Sequence, residues 1–152
     1  MVNRLYICIV FIVLPLLSSG QTFDSSNVDL QANITIMHRR SGATAITYDT
    51  VANGQTINYP FRNKEERFRV YSIDFIESQP RVDQIIVESY KNNRLLSTIN
   101  PRPENRDNKL SFYDGYISGK ENKVKVRLLF NREGEQKEWI FFVLFKKMPF
   151  PY

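Results

Sequence analysis

The chain has 152 residues, of which 42% are hydrophobic, 24% charged and 13% aromatic, and its 21 Lys and Arg against 16 Asp and Glu give a net charge of +5. With 6 Gly and 7 Pro this is a globular composition, which excludes disordered, collagenous and low-complexity chains. One His and one Cys exclude every His/Cys metal cluster and every disulfide framework, since each needs several such residues.

At the N-terminus Arg4 precedes an almost unbroken apolar run, Leu5 to Leu17, and Ser18, Ser19 and Gly20 follow it. Positive charge, short apolar run and small residues in that order read as a secretory signal peptide over 1–20, cleaved before Gln21. A helix of that run reaches about 20 Å, short of the roughly 30 Å hydrocarbon core, so no membrane span is expected after cleavage. Removing it takes away Arg4 and Cys8, leaving 20 basic and 16 acidic side chains and no thiol. The expected mature chain is therefore secreted, extracellular, free of cysteine and weakly basic. Residues 21–152 are long enough to bury about two thirds of their unfolded surface and are expected to form a single domain.

No apolar 3.6-residue period follows Gln21, whereas two-residue alternation recurs throughout. Val28, Leu30, Ala32, Ile34 and Ile36 alternate with Asp29, Gln31, Asn33 and Thr35, which defines a first strand with one apolar face. Asn33 falls on its polar face and opens the sequon Asn33-Ile34-Thr35, so a glycan is expected there once the chain is secreted. Ile46 and Tyr48, then Ile57, Tyr59 and Phe61, predict two strands joined at Asn53-Gly54, a pair suited to a type I′ hairpin. Pro60 cannot donate to a ladder and places the second of these strands on an edge or at a bulge.

Phe68 to Ile76 and Val82 to Tyr90 predict two more strands, expected to pair across Glu77 to Arg81. Ile85-Ile86-Val87 marks the second as central. Leu95 to Ile99 adds a strand, and Asn100 to Asn108, with two prolines and no apolar residue, reads as a surface loop. Val124, Val126, Leu128 and Phe130 alternate with Lys123, Lys125 and Arg127, and Trp139 to Phe145 is apolar on both faces and expected to be buried centrally. About eight short strands predict an all-β antiparallel β-sandwich, with a small antiparallel barrel as the alternative.

Chemistry-bearing residues are sparse. His38, the only imidazole, reads as structural, since nothing in the sequence supplies it with a nucleophile or an orienting partner. Hydrolase, zinc-protease, nucleotide and dinucleotide motifs are missing from the chain, and no catalytic, cofactor-binding or metal-binding residue is assigned. Asp74, Glu77, Asp83, Glu88 and Asp114 lie on or near strands and supply carboxylates of the kind a glycosidase pairs, although ordinary solvated surface carboxylates are the favoured reading. Lys123, Lys125 and Arg127 project from one strand face and form a possible anion patch, set against the plainer reading of a solvated face. Tyr113-Asp114-Gly115-Tyr116 reads as a turn flanked by two rings.

The order of these residues resembles a family of small secreted arthropod proteins named after multiprotein bridging factor two, which includes the response-to-pathogen proteins of caterpillars. The resemblance covers about Gly42 to Phe145: Gly42, Ile46 and Tyr48 early, Ile73 and Ile85 to Val87 in the middle, and a closing hairpin. That hairpin carries most of it, with Val124, Val126, Leu128, Phe130 and Glu133 followed by Trp139, Phe141, Val143 and Phe145. The family's paired glycines before the hairpin are replaced by Asp114-Gly115-Tyr116-Ile117-Ser118-Gly119. Membership implies a secreted, non-enzymatic β protein linked to immune or stress responses, and the family name also implies transcriptional co-activation. The signal pattern favours the first. An extracellular binding protein is thus the leading expectation, with an extracellular protein or a glycan as partner and nucleic acid not favoured. An intracellular co-activator and a carboxylate-based, glycan-active enzyme are the alternatives.

Overall fold

A computed structural model of the chain describes residues 28–38, 45–61, 69–114 and 121–147; the expected signal segment lies outside them. The strands are β1 (Gln31–His38), β2 (Ile46–Ala52), β3 (Thr56–Phe61), β4 (Arg69–Phe75), β5 (Val82–Lys91), β6 (Arg94–Ile99), β7 (Glu104–Arg106), β8 (Lys109–Tyr113), β9 (Lys123–Arg132) and β10 (Glu135–Lys147). They form two five-stranded sheets, β2-β1-β4-β8-β7 and β3-β10-β9-β5-β6, packed as a sandwich. All pairings are antiparallel except that of β3 with β10. Both sheets keep open edges, so the barrel alternative is not formed.

The core follows the alternation. Ala32, Ile34 and Ile36 of β1, Tyr71, Ile73 and Phe75 of β4, and Leu110 and Phe112 of β8 face inward from the first sheet. Val124, Val126, Leu128 and Phe130 of β9 and Trp139, Phe141 and Val143 of β10 meet them from the second. The Trp139 and Phe75 rings meet edge to face, with centroids 5.1 Å apart, and Trp139 Nε1 donates to the Leu30 carbonyl at 2.9 Å. A buried indole N–H thereby keeps a partner. β10 is an interior strand as expected, yet of its apolar run only Trp139, Phe141 and Val143 are sealed; Ile140, Phe142 and Leu144 are half-buried on the outer face.

Three local expectations fail for physical reasons. Asn53-Gly54 does not make a hairpin. Of its two central residues only Gly54 has a positive φ, +80°, the pattern of a type II turn, whose twist splays strands apart. The turn closes by Gln55 N–H donating to the Ala52 carbonyl at 3.1 Å. It then docks on β10, where Asn53 Oδ1 accepts from Ile140 N–H at 2.8 Å and Gly54 N–H donates to the Ile140 carbonyl at 2.7 Å. The chain thus crosses to the other sheet, and β3 pairs in parallel with β10 as an edge strand, where Pro60 is tolerated.

The strands now numbered β4 and β5 do not pair either, because β4 lies between β1 and β8 and β5 between β9 and β6. The segment from Ile76 to Arg81 passes from one sheet to the other, with Gln79 Oε1 accepting from Phe75 N–H at 3.3 Å. The polar stretch 100–108, read as a loop throughout, contains β7, which pairs with β8. Those two short strands raise the count from eight to ten. True type I′ turns occur at Asn92-Asn93 (φ 49° and 64°) between β5 and β6, and at Glu133-Gly134 (φ 55° and 78°) between β9 and β10.

Candidate functional site

Lys123, Lys125 and Arg127 share the outer face of the second sheet, as the alternation requires, since Val124, Val126 and Leu128 point inward. Their neighbours there are Tyr90, Glu88 and Ile86 of β5 and Leu144, Phe142 and Ile140 of β10. Lys123 Nζ lies 5.4 Å from the Tyr90 ring centroid and 5.7 Å from that of Phe142. Glu88 takes ion pairs from Lys125 at 3.9 Å and from Arg127 at 3.7 Å, and Arg127 Nε also donates to Glu138. That last hydrogen bond holds the guanidinium pKa above its ordinary value. The three cations are therefore together but already engaged, two of them by carboxylates.

The five candidate carboxylates are dispersed. Asp74 lies on the outer face of the first sheet, Glu88 on that of the second and Asp114 inside, while Glu77 and Asp83 are exposed around the β4–β5 crossing. Asp114 anchors a polar cluster that the sequence reading did not foresee. Arg69 and Asp114 are both fully buried: Arg69 N–H donates to Asp114 Oδ1 at 3.0 Å, Asp114 N–H donates to the Arg69 carbonyl at 3.2 Å, and Nη1 reaches Oδ2 at 3.5 Å. The Arg69 guanidinium crosses to the second sheet and stacks 4.0 Å from the Phe145 ring centroid. Burial raises the Asp114 pKa to about 6, with Arg69 opposing the shift.

Beside this pair, the Tyr71 hydroxyl and Arg69 Nε have no hydrogen-bond partner among the described residues, and burial raises the Tyr71 pKa well above its ordinary value. Parity held the clue to this cluster. Arg69 continues the inward face of Tyr71, Ile73 and Phe75, and Asp114 that of Leu110 and Phe112. Tyr113 is exposed, while Gly115 and Tyr116 lie outside the described residues. His38 ends β1 opposite Arg69 in the register.

A second feature, equally unforeseen, is a cleft of about 470 Å³ lined by Arg81, Arg102, Pro103, Glu104, Asn105 and Arg106. Two sheet-to-sheet crossings meet there, the one entering β5 and the one leading from β6 to β7. Asn105 sews them together: its Oδ1 accepts from Val82 N–H and its Nδ2 donates to the Val82 carbonyl, both at 3.0 Å. Arginines more than twenty positions apart are thereby gathered on one seam. Arg106 lies 3.8 Å from Glu104; Arg81 and Arg102 have neither ion pair nor hydrogen bond among the described residues.

Asn33 lies on β1 opposite the bulge of β2 formed by Asp49 and Thr50, half-buried, and its Oδ1 accepts from Thr50 N–H at 2.9 Å. Its Nδ2, the atom that carries a glycan, makes no hydrogen bond among the described residues. Among those residues no three His, Cys, Asp or Glu side chains gather as a metal site requires. No family model and no curated protein matches the chain.

Proposed function

We propose that the protein is a secreted, non-enzymatic binding protein that engages its partner at the arginine-lined seam between the two sheets. The observation that carries this reading is the division of charged groups between core and surface. In the core Asp114 is tied to Arg69, and the buried Glu138 is tied to Arg127, whereas the concave surface presents Arg81, Arg102 and Arg106. A guanidinium stays protonated in proteins and has no acceptor, so it holds and orients ligands and does not exchange protons with a substrate. Secretion is supported by Arg4, the apolar run to Leu17 and the small residues before Gln21. The family resemblance supports a role in immune or stress responses.

The test is the intact mass, before and after glycosidase, of protein from the medium of secreting insect cells that express the full chain. A species beginning at Gln21 that loses a glycan with the glycosidase, and has none in Asn33→Gln, is the expected result. Full-length chain held inside the cell, with Cys8 present and no sugar, overturns the extracellular reading and brings intracellular co-activation forward.

A further inference from the structure

We infer that the cleft lined by Arg81, Arg102 and Arg106 is a binding site for a small molecule bearing a tetrahedral oxyanion ester, a sulfate or a phosphate. The inference rests on the reading of the chain as a binding protein and names the ligand chemistry of that surface.

Three observations carry it. First, the charge is unbalanced: among the described residues three guanidiniums and one carboxylate line the cleft, and that carboxylate, Glu104, sits beside Arg106. Arg81 and Arg102 are left without an ion pair or hydrogen bond among the described residues. This separates the cleft from the Lys123, Lys125 and Arg127 face, whose cations lie against Glu88, Glu138, Tyr90 and Phe142.

Second, the cleft is built and not merely crowded. Arg102 stands between Pro101 and Pro103, and a residue that precedes proline is held extended, so its backbone has little freedom. Arg81 follows Pro80, and the paired hydrogen bonds of Asn105 to Val82 fix the two crossings against each other. The guanidiniums thus start from stiff backbone, which lowers the ordering cost of gathering them on one ligand.

Third, the chemistry and the size agree. The planar guanidinium fork donates two parallel hydrogen bonds to an oxyanion, a match that an ammonium lacks. A volume of about 470 Å³ is several times that of a bare sulfate or phosphate, so the body of the molecule carrying the anion occupies the rest.

The test is isothermal titration, at two salt concentrations, of protein purified from cells expressing the full chain, taken from medium or lysate alike. The probes are a sulfated disaccharide, a hexose phosphate and the uncharged parent sugars. Binding of either charged probe, weakened about tenfold or more by Arg81→Gln and by Arg102→Gln and unchanged in the Lys123→Gln/Lys125→Gln double variant, is expected. Which probe binds more tightly assigns sulfate or phosphate. Asn105→Ala keeps the charge and releases the seam, and it is expected to weaken binding by a similar factor.

Loss in the double variant with the cleft variants unaffected places the anion site on the β9 face and overturns the inference. Full affinity in Asn105→Ala overturns it as well, because diffuse surface charge would suffice. Absence of binding by both charged probes also overturns it, and leaves the secretion test above to decide the broader reading separately.

Discussion

Phe141 and Phe142 are neighbours in the chain on opposite faces of β10, and truncating each to Ala separates the sandwich core from its outer surface. The Phe141 ring is fully buried, 5.6 Å from the Trp139 ring centroid and 6.3 Å from that of Tyr71. Its removal leaves a cavity between two sheets that cannot collapse far, so Phe141→Ala should cost about 3–5 kcal/mol. Phe142 is half-buried under Lys123 and Lys125, whose ammonium groups lie 5.7 and 6.0 Å from its ring centroid. Half of a full phenylalanine burial, with two exposed cation–π contacts at the outer limit of their range adding little, amounts to about 1–2 kcal/mol for Phe142→Ala. Urea unfolding followed by circular dichroism measures both, and it avoids the fluorescence of Trp139, which the Phe141 change would perturb directly. With m unchanged, the midpoint should fall two to three times further for Phe141→Ala, in the ratio of the two costs. An equal or larger loss for Phe142→Ala would refute the assignment of inner and outer faces on this strand.

Other consequences are equally direct. The folded Asp114 carboxyl titrates near 6 and an ordinary one at 3.8, so between those values the folded chain takes up a proton that the unfolded chain does not. The stability due to this group is therefore full at low pH and falls by about 3 kcal/mol as the pH rises from about 4 through 6. Subtracting the denaturation free energies of Asp114→Asn from those of the wild type across that range should expose the fall, and a flat difference would contradict it. Glu133 holds φ 55° in a type I′ turn, so Glu133→Asn should raise stability by about 0.5–1 kcal/mol. Gly134→Ala should lower it by about 1–2 kcal/mol through strain alone, because no atom lies within 4 Å of an added Cβ. Melting both variants beside the wild type checks the pair, and a neutral Gly134→Ala would argue against the positive φ. Trp139→Phe strips the Leu30 carbonyl of its donor and should cost at least about 1–3 kcal/mol, the penalty for a buried unpaired acceptor; a stability equal to that of the wild type would show that another donor serves Leu30.

Period-two alternation alone determined that this chain is a set of strands and which side of most of them faces the core. Successive Cβ atoms point to opposite faces whatever the strand pairs with, so Ile34, Val126 and Leu128 were legible as interior, whereas Trp139 to Phe145, apolar on both faces, did not reveal which face meets the core. The same parity already ran through Arg69 and Asp114, but charge argued for the surface, and only a partner 45 positions away makes their burial tolerable. Neighbour relations were not written locally. At Asn53-Gly54 the dipeptide suits a hairpin, and the bonds to Ile140 carry it to the other sheet instead. The short strands β7 and β8 exist because they pair with each other and with β4, since segments of three and five residues carry too little pattern of their own. The arginine cleft is the furthest from the sequence. Arg81 and Arg102 become neighbours only when two crossings meet and Asn105 bonds to Val82, so the tertiary structure alone decided that these two guanidiniums share one cleft.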